Sequence, residues 1–376
     1  MLYRNYGKTN EKVSTLGFGL MRLPLSDGKI DRSKSSELLD YAISRGLNYL
    51  DTAYPYHNGE SEEFLGEYLK SRNIREKVFI ATKLPSFLIK TRDDFEKYFN
   101  EQMKKLQLDY VDFYLVHALN KEYFENVKSL GVFEFLDSLK AQGKIKHVGF
   151  SFHDKLEVFK EIVDSYPWEF CQIQYNILDA NYQAGEEGLK YATDRGLGLA
   201  VMEPLRGGRL ASNVPKDIKE LWDSAEVKRT PAQWAFKYLW NNENVDVVLS
   251  GMNDFDQIKD NIDTAETTDA NSLSHSETEL IEKVKEKYIS KIKVNCTACR
   301  YCMPCPMGVN IPKAFDYLNN ASLFDDLSTF KENYIKSLKD KESPVNCIKC
   351  GKCETICPQH IEIRKSLEET ISVFNL

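Results

Sequence analysis

Up to Ala265, short apolar runs rich in β-branched and aromatic side chains alternate with longer segments whose apolar positions recur every three to four residues. The runs VSTLGFG, NYLD, VFIAT, VDFYLV, HVGFS, FCQIQ, LGLAVM and VDVVLS read as strands. Between them SKSSELLDYAISRG, SEEFLGEYLKS, DDFEKYFNEQMKKL, GVFEFLDSLKAQG, KLEVFKEIVDS, GEEGLKYATDRG, PAQWAFKYLWNN and DFDQIKDNIDTA read as amphipathic helices. Several of these end at a glycine, as at Arg45-Gly46, Gln142-Gly143 and Arg195-Gly196, where a left-handed residue stops the helix. Eight strand-helix units in series predict an α/β chain folded as a (β/α)8 TIM barrel. An open doubly wound sheet has the same alternation, but its G-x-G-x-x-G turn is missing after the first strand, where LGFGLMRLP stands. The barrel is expected to occupy residues 1–270. The polar stretch ETTDANSLSHSETE and a helix near Ser276 to Lys287 form a connection over 271–290, and a small, mainly α domain follows over 291–376.

Composition and charge narrow the function classes. The chain has 376 residues, 42% hydrophobic and 28% charged, with a net charge of -7 made of acidic and basic residues interspersed. Lys and Arg are nowhere concentrated, which argues against a nucleic-acid partner. No run of about 18 apolar residues occurs, and the N-terminus MLYRNYGKTNEKVSTLGFG lacks a signal peptide's apolar core, so a cytoplasmic protein without a membrane span is expected.

Chemistry in a barrel of this kind sits where strands end and the following loops begin. Asp51 follows the second strand, with Tyr54, Tyr56 and His57 in the next loop. Lys83, His117 and Ser151 end strands three, four and five, and Gln172 and Gln174 lie in or after strand six. Asp, Tyr, Lys and His from consecutive strands can converge at one mouth. An ammonium beside a tyrosine lowers its pKa, a carboxylate fixes the ammonium, and an imidazole orients a carbonyl oxygen, a set suited to proton transfer onto a forming alkoxide.

Eight of the nine cysteines lie beyond residue 295. NCTACRYCMPCP supplies Cys296, Cys299, Cys302 and Cys305, and CIKCGKCETICP supplies Cys347, Cys350, Cys353 and Cys357. In a reducing compartment such thiols bind metal more often than they form disulfides. A triple at two-residue spacing with a remote Cys-Pro, repeated, is the bacterial ferredoxin pattern of two 4Fe-4S clusters and differs from the paired C-x-x-C units of zinc sites. In that pattern the fourth cysteine crosses over, which predicts Cys296, Cys299, Cys302 and Cys357 for one cluster and Cys347, Cys350, Cys353 and Cys305 for the other. The first group ends C-x-x-C-P, one residue shorter than usual. Cys171, alone within strand six, reads as a buried inert thiol.

The motifs YLDTAYPYHNGESEEFLGEYL, VFIATKL, DYVDFYLVHAL, KIKHVGFS and QIQYNIL, in this order over about Leu2 to Ala265, resemble the aldo-keto reductases, and the cysteine tail is similar to that of the ferredoxin-tailed branch of the family. The resemblance implies reduction of a small aldehyde or ketone by NADP or NAD in its reduced form, with a tetrad on Asp51, Tyr56, Lys83 and His117. It selects Tyr56 over Tyr54. It further implies cofactor contacts at Gly19, Met21, Asp51, Ser151, Gln172, Met202, Leu205, Ser250, Gly251, Gln257 and Asn261. Phe152 replaces the usual Asn, Met202 the usual stacking aromatic, and Gln257 and Gly251 stand where basic residues are common, so NADH use becomes an expectation. The clusters would be structural or exchange electrons with an external carrier. The alternative is an electron-transfer enzyme whose barrel binds another redox group fed by single electrons.

Overall fold

The computed structural model describes residues 1–339 and 341–376. Eight parallel strands close into a barrel: Leu16–Gly19, Tyr49–Asp51, Phe79–Leu84, Val111–Leu119, Ile145–Phe152, Phe170–Gln174, Gly198–Met202 and Val247–Ser250. All eight strands expected from the sequence are present, and the eighth pairs with the first, Ser250 opposite Phe18. The register sets Gly19 beside Asp51, Asp51 beside Ala81 and Lys83 beside Leu115, so the ends of strands one to four are neighbours.

Helices cover the barrel over Arg32–Ser44, Glu60–Arg72, Asp93–Leu106, Val132–Ala141, Leu156–Ser165, Gly185–Thr193, Pro231–Asn241 and Phe255–Thr267. Leu38, Leu39 and Ala42 of the first and Phe95, Phe99 and Leu106 of the third are buried, the apolar stripe that amphipathic periodicity predicts. Gly46 and Gly143 hold the left-handed conformation that ends their helices.

Two differences from the sequence reading have local causes. The run VSTLGFG does not form one strand. Lys12–Ser14 pairs back onto Tyr3–Asn5 as a hairpin, and only Leu16–Gly19 enters the barrel. The chain breaks at Ser14, whose hydroxyl donates to Leu16 O at 2.7 Å while its N–H donates to Asn48 Oδ1. The loop after that hairpin's first strand carries Tyr6 into the barrel interior, where its ring packs 5.8 Å from Tyr49 and 5.1 Å from Phe113. A further helix, Lys121–Ser129, precedes Val132–Ala141; Asn120 caps it by accepting from Tyr123 N at 2.8 Å.

The chain forms two compact units, and their boundary is not contiguous in sequence. One comprises Met1–Gly207 and Ala232–His275, the other Gly208–Pro231 and Ser276–Leu376. The expected cut near residue 270 therefore misses a crossover after strand seven. That crossover carries helices Arg209–Ser212 and Lys216–Asp223, which bury Ile218 and Trp222. In the same unit the ammonium of Lys291 reaches Asp217 at 3.2 Å and Asp325 at 2.9 Å, and Arg209 lies over the Phe330 ring at 4.6 Å. The remainder is helical, as the sequence suggested: His275–Ile289, Ile311–Leu323, Leu327–Ser337, Lys352–Thr355 and Ile363–Phe374, with buried Phe315, Leu318, Tyr334, Leu367 and Phe374 as core. No helix among the described residues is long and apolar enough to cross a membrane.

Candidate functional site

Strands two and three deliver Asp51 and Lys83 side by side beneath the C-terminal end of the barrel, both fully or almost fully buried. The Lys83 ammonium donates to Asp51 Oδ1 at 2.6 Å, to Thr52 O at 2.8 Å and to Tyr56 Oη at 3.3 Å, which uses all three of its protons. Burial favours the neutral amine, yet Asp51 and Tyr56 outweigh it and hold Lys83 above the ordinary lysine range. A buried ammonium with three such partners is satisfied.

Tyr56 reaches this group through the turn Tyr56–Gly59, in which His57 and Asn58 adopt left-handed dihedrals. The sequence reading expected Lys83 to lower the phenol's pKa. Burial instead raises it, and the pull of Lys83 offsets this only in part. A phenol that keeps its proton at neutral pH is a donor, and Lys83 stands where the phenolate charge would form. His117 faces Tyr56 with ring centroids 6.2 Å apart. Its pKa lies well below 6.5 through burial, then Lys83 and His153, so the imidazole is neutral, and its Nδ1 is buried without a hydrogen-bond partner among the described residues.

The other strand-end residues separate. Tyr54 turns away: its hydroxyl donates to Glu101 Oε2 at 2.8 Å, and Lys105 sits over its ring at 4.1 Å. His57 Nε2 accepts from Leu23 N at 3.1 Å and ties two loops. Gln174 donates to Asp179 Oδ2 at 2.8 Å, part of a loop network with Asn176 and Arg206. Cys171 is fully buried, and burial pushes its thiol up.

Around the rim, Ser151 Oγ accepts from Ala118 N at 2.7 Å. Gln172 Nε2 approaches Met202 Sδ at 3.4 Å, while Gln172 Oε1 is buried with no partner among the described residues. An unpartnered buried carbonyl flanked by a hydroxyl fits a ligand carboxamide, whose N–H groups would satisfy it. Asn261 Nδ2 donates to Ser250 Oγ at 3.2 Å, and Gln257 Oε1 accepts from Asn253 N at 3.3 Å. A side chain at Gly251 would meet Arg22 at 3.1 Å, so glycine lets that arginine lie close. Gly19 lies next to Asp51 in the ladder, Met21 is exposed, and Leu205 is half-buried. Helix Phe255–Thr267 begins at Asp254, whose carboxylate accepts from Asp256 N at 2.8 Å, so two acidic residues occupy its positive end.

His153 was missed by the sequence reading. It stands two residues past Ser151 and is close enough to His117 to help lower that imidazole's pKa. The signal was available, because the run SFH places it in the same loop as Ser151.

In the other unit, one cavity of about 200 Å³ is lined by Cys302, Cys305, Cys347, Cys350 and Cys353, with Met303, Ile311, Ile348 and Leu367 among its apolar walls. A second, near 20 Å³, is lined by Cys296, Cys299, Cys302 and Cys357 together with Pro312, Phe315 and Ile363. Cys305 thus shares a cavity with the second cysteine group and Cys357 with the first, while Cys302 lines both. Among the described residues no carboxylate or imidazole lines either cavity. Among the described residues no group of three or more His, Cys, Asp or Glu closes around a point as a single metal ion requires. Cysteines set in largely apolar walls, with thiols as the ligating groups among the described residues, fit an iron-sulfur cluster better than a zinc ion, although the smaller cavity has room for little more than a water.

Comparison with known proteins gives consistent matches. A family model described as "Aldo/keto reductase family" matches residues 15–286, and one described as "4Fe-4S dicluster domain" matches 295–362. L-galactose dehydrogenase of Arabidopsis thaliana is 27% identical over 309 residues, covering 74% of this chain and 92% of that protein. An aldo-keto reductase of Schizosaccharomyces pombe named for NADP(+) is 26% identical over 223 residues, 56% of this chain and 64% of that protein. The holo structure of an aldo-keto reductase from Bacillus halodurans superposes with a TM-score of 0.64 at 27% identity, covering 76% of this chain and 96% of that one.

Proposed function

The chain belongs to the aldo/keto reductase family and carries a 4Fe-4S dicluster domain, and from that premise we propose that it reduces a small aldehyde or ketone with a nicotinamide cofactor at the barrel mouth. The observation that carries this reading is the single Lys83 ammonium held between Asp51 and the Tyr56 hydroxyl. When bound, the reduced nicotinamide supplies a hydride to the carbonyl carbon. Tyr56 gives its phenolic proton to the carbonyl oxygen as alkoxide charge develops there, so hydride plus proton yield the alcohol. Lys83 stabilises the phenolate that remains until solvent returns the proton, and Asp51 keeps Lys83 charged and in place. His117, neutral at working pH, donates an N–H to the carbonyl oxygen and orients it. Ser151 and Gln172 would hold the carboxamide, with Met202 packed beside them.

NADH is the expected cofactor. Recognition of a 2'-phosphate uses Arg or Lys, whereas Gly251 and Gln257 are uncharged and Asp254 and Asp256 crowd the adjacent helix end with negative charge. Anaerobic titrations should give an affinity for NADH about 10-fold or more above that for NADPH, one well-placed charge contact being worth roughly that much. Tighter binding of NADPH would refute the assignment.

The eight clustered cysteines are assigned to two 4Fe-4S clusters in the crossed arrangement, Cys296, Cys299, Cys302 and Cys357 for one and Cys347, Cys350, Cys353 and Cys305 for the other. Such clusters carry single electrons and suit exchange with an external carrier, whereas hydride moves as a pair. The deciding experiment is an oxygen-free assay of nicotinamide binding and of carbonyl reduction across a panel of aldehydes and ketones. Binding with turnover supports the reductase; failure to bind either nicotinamide would instead favour a barrel fed by single electrons.

A further inference from the structure

Behind the tetrad lies a second, wholly interior polar cluster that proton transfer does not use. Glu62, in the first turn of helix Glu60–Arg72, is completely buried. Its Oε1 accepts from Thr82 Oγ1 at 2.7 Å and from Gln102 Nε2 at 2.7 Å. Gln102 Nε2 also reaches the backbone carbonyl of Lys83 at 3.0 Å, and Gln102 Oε1 accepts from Tyr114 at 2.8 Å. The cluster therefore grips Thr82 and Lys83 of strand three from the side opposite the ammonium. One residue earlier in the helix, Ser61 Oγ lies 2.9 Å from Thr52 Oγ1, and Thr52 supplies the carbonyl that accepts from Lys83 Nζ. Helix Glu60–Arg72 thus clamps both strands that carry the buried ion pair.

Holding a carboxylate here is costly: burial raises the Glu62 pKa, and Thr82, Gln102, Lys105 and Lys83 pull it back only in part. Glu62 Oε2 has no hydrogen-bond partner among the described residues, and its nearest cation, Lys105, is 3.9 Å away. A well-packed apolar side chain at such a place is commonly as stable or more so. We infer that Glu62 is a positioning residue for Lys83, fixing strand three through Thr82 and Gln102 and adding a second carboxylate, beyond Asp51, to the field around the ammonium. The groups facing Glu62 are Thr82 and Lys83 from strand three, Gln102 and Lys105 from helix Asp93–Leu106, Tyr114 from strand four, and Tyr54 from the loop after strand two. Of the charged ones, Lys83 is the one the proposed chemistry uses.

This inference rests on the reading of Lys83 and Tyr56 as the proton-transfer pair, and its test separates the two. Glu62→Gln keeps an acceptor oxygen but removes the charge. Its alkaline limb of kcat/KM for carbonyl reduction should move to lower pH by roughly half to one unit, because without the Glu62 charge facing Lys83 the ammonium's pull on the Tyr56 phenolate is less opposed. Glu62→Ala loses the acceptor as well. Its kcat should fall about 10- to 100-fold with KM changed far less, and a crystal structure should show Lys83 drawn away from Asp51. Recovery of kcat at neutral pH in Glu62→Gln, with the limb still displaced, would separate positioning from charge. If Glu62→Ala does not fold, a crystal structure of Glu62→Gln and its pH profile decide alone. An unshifted alkaline limb in Glu62→Gln would overturn the inference, as would Lys83 unmoved in the Glu62→Ala crystal. Retained activity in Tyr56→Phe would instead remove the underlying reading.

Discussion

Tyr56→Phe is expected to lower kcat for carbonyl reduction by between about 10²- and 10⁴-fold, the range one positioned acid contributes, while nicotinamide affinity and thermal stability stay near wild type. The phenol sits at the edge of the buried pair, and removing its oxygen takes away one of three acceptors from Lys83 but leaves Asp51 and Thr52 O. Lys83→Met makes a contrasting case. It strands the Asp51 carboxylate in the interior, so activity loss should come with about 3–5 kcal/mol of destabilisation, readable by denaturant unfolding. The difference between these two variants is diagnostic. Equal loss of stability in both would mean that Tyr56 is structural, and unchanged turnover in Tyr56→Phe would remove it as proton donor.

The second large effect concerns the cysteines, where pairs of substitutions discriminate what single ones cannot. Any single ligand change should remove one cluster and reduce iron from about eight atoms to about four per chain. If ligation is crossed, Cys305→Ala combined with Cys350→Ala strikes the same cluster, and about four irons remain. Cys305→Ala combined with Cys299→Ala strikes both, and iron falls towards zero. Uncrossed ligation reverses the two results. Iron analysis and electron paramagnetic resonance of the anaerobically reconstituted variants read the answer directly.

Much of this was legible in the sequence because the relevant signals are local. Strand runs, glycine stops and cysteine spacings are short-range patterns, and all eight barrel strands follow from them. What escaped depends on contacts between distant segments. The rule for strand ends flagged Tyr54 and Tyr56 alike, and the structure parts them through Glu101 and Lys105, nearly fifty residues on, which occupy Tyr54. Glu62 lies in SEEFLGEYL among other acids, where a charge on an amphipathic helix normally reads as solvated. Only the approach of Gln102 and Thr82 makes it an interior group. Lys83 does pull the Tyr56 pKa down, as expected, but burial raises it further, and sequence shows the neighbouring charge without the burial opposing it.

The split unit bears on how such a chain can be dismantled. Ile218 and Trp222 lie in the connection after strand seven, yet they are buried in the cysteine-bearing unit and not in the one that holds the strands. A shortened gene stopping after residue 290 would keep that connection while discarding Lys291 and Phe330, the partners of Asp217 and Arg209. The cluster region is therefore no cartridge that can be clipped off the end. A barrel-only version would need its Gly208–Pro231 segment redesigned, with new polar residues in place of Ile218 and Trp222, before its catalytic properties could be compared with those of the full chain.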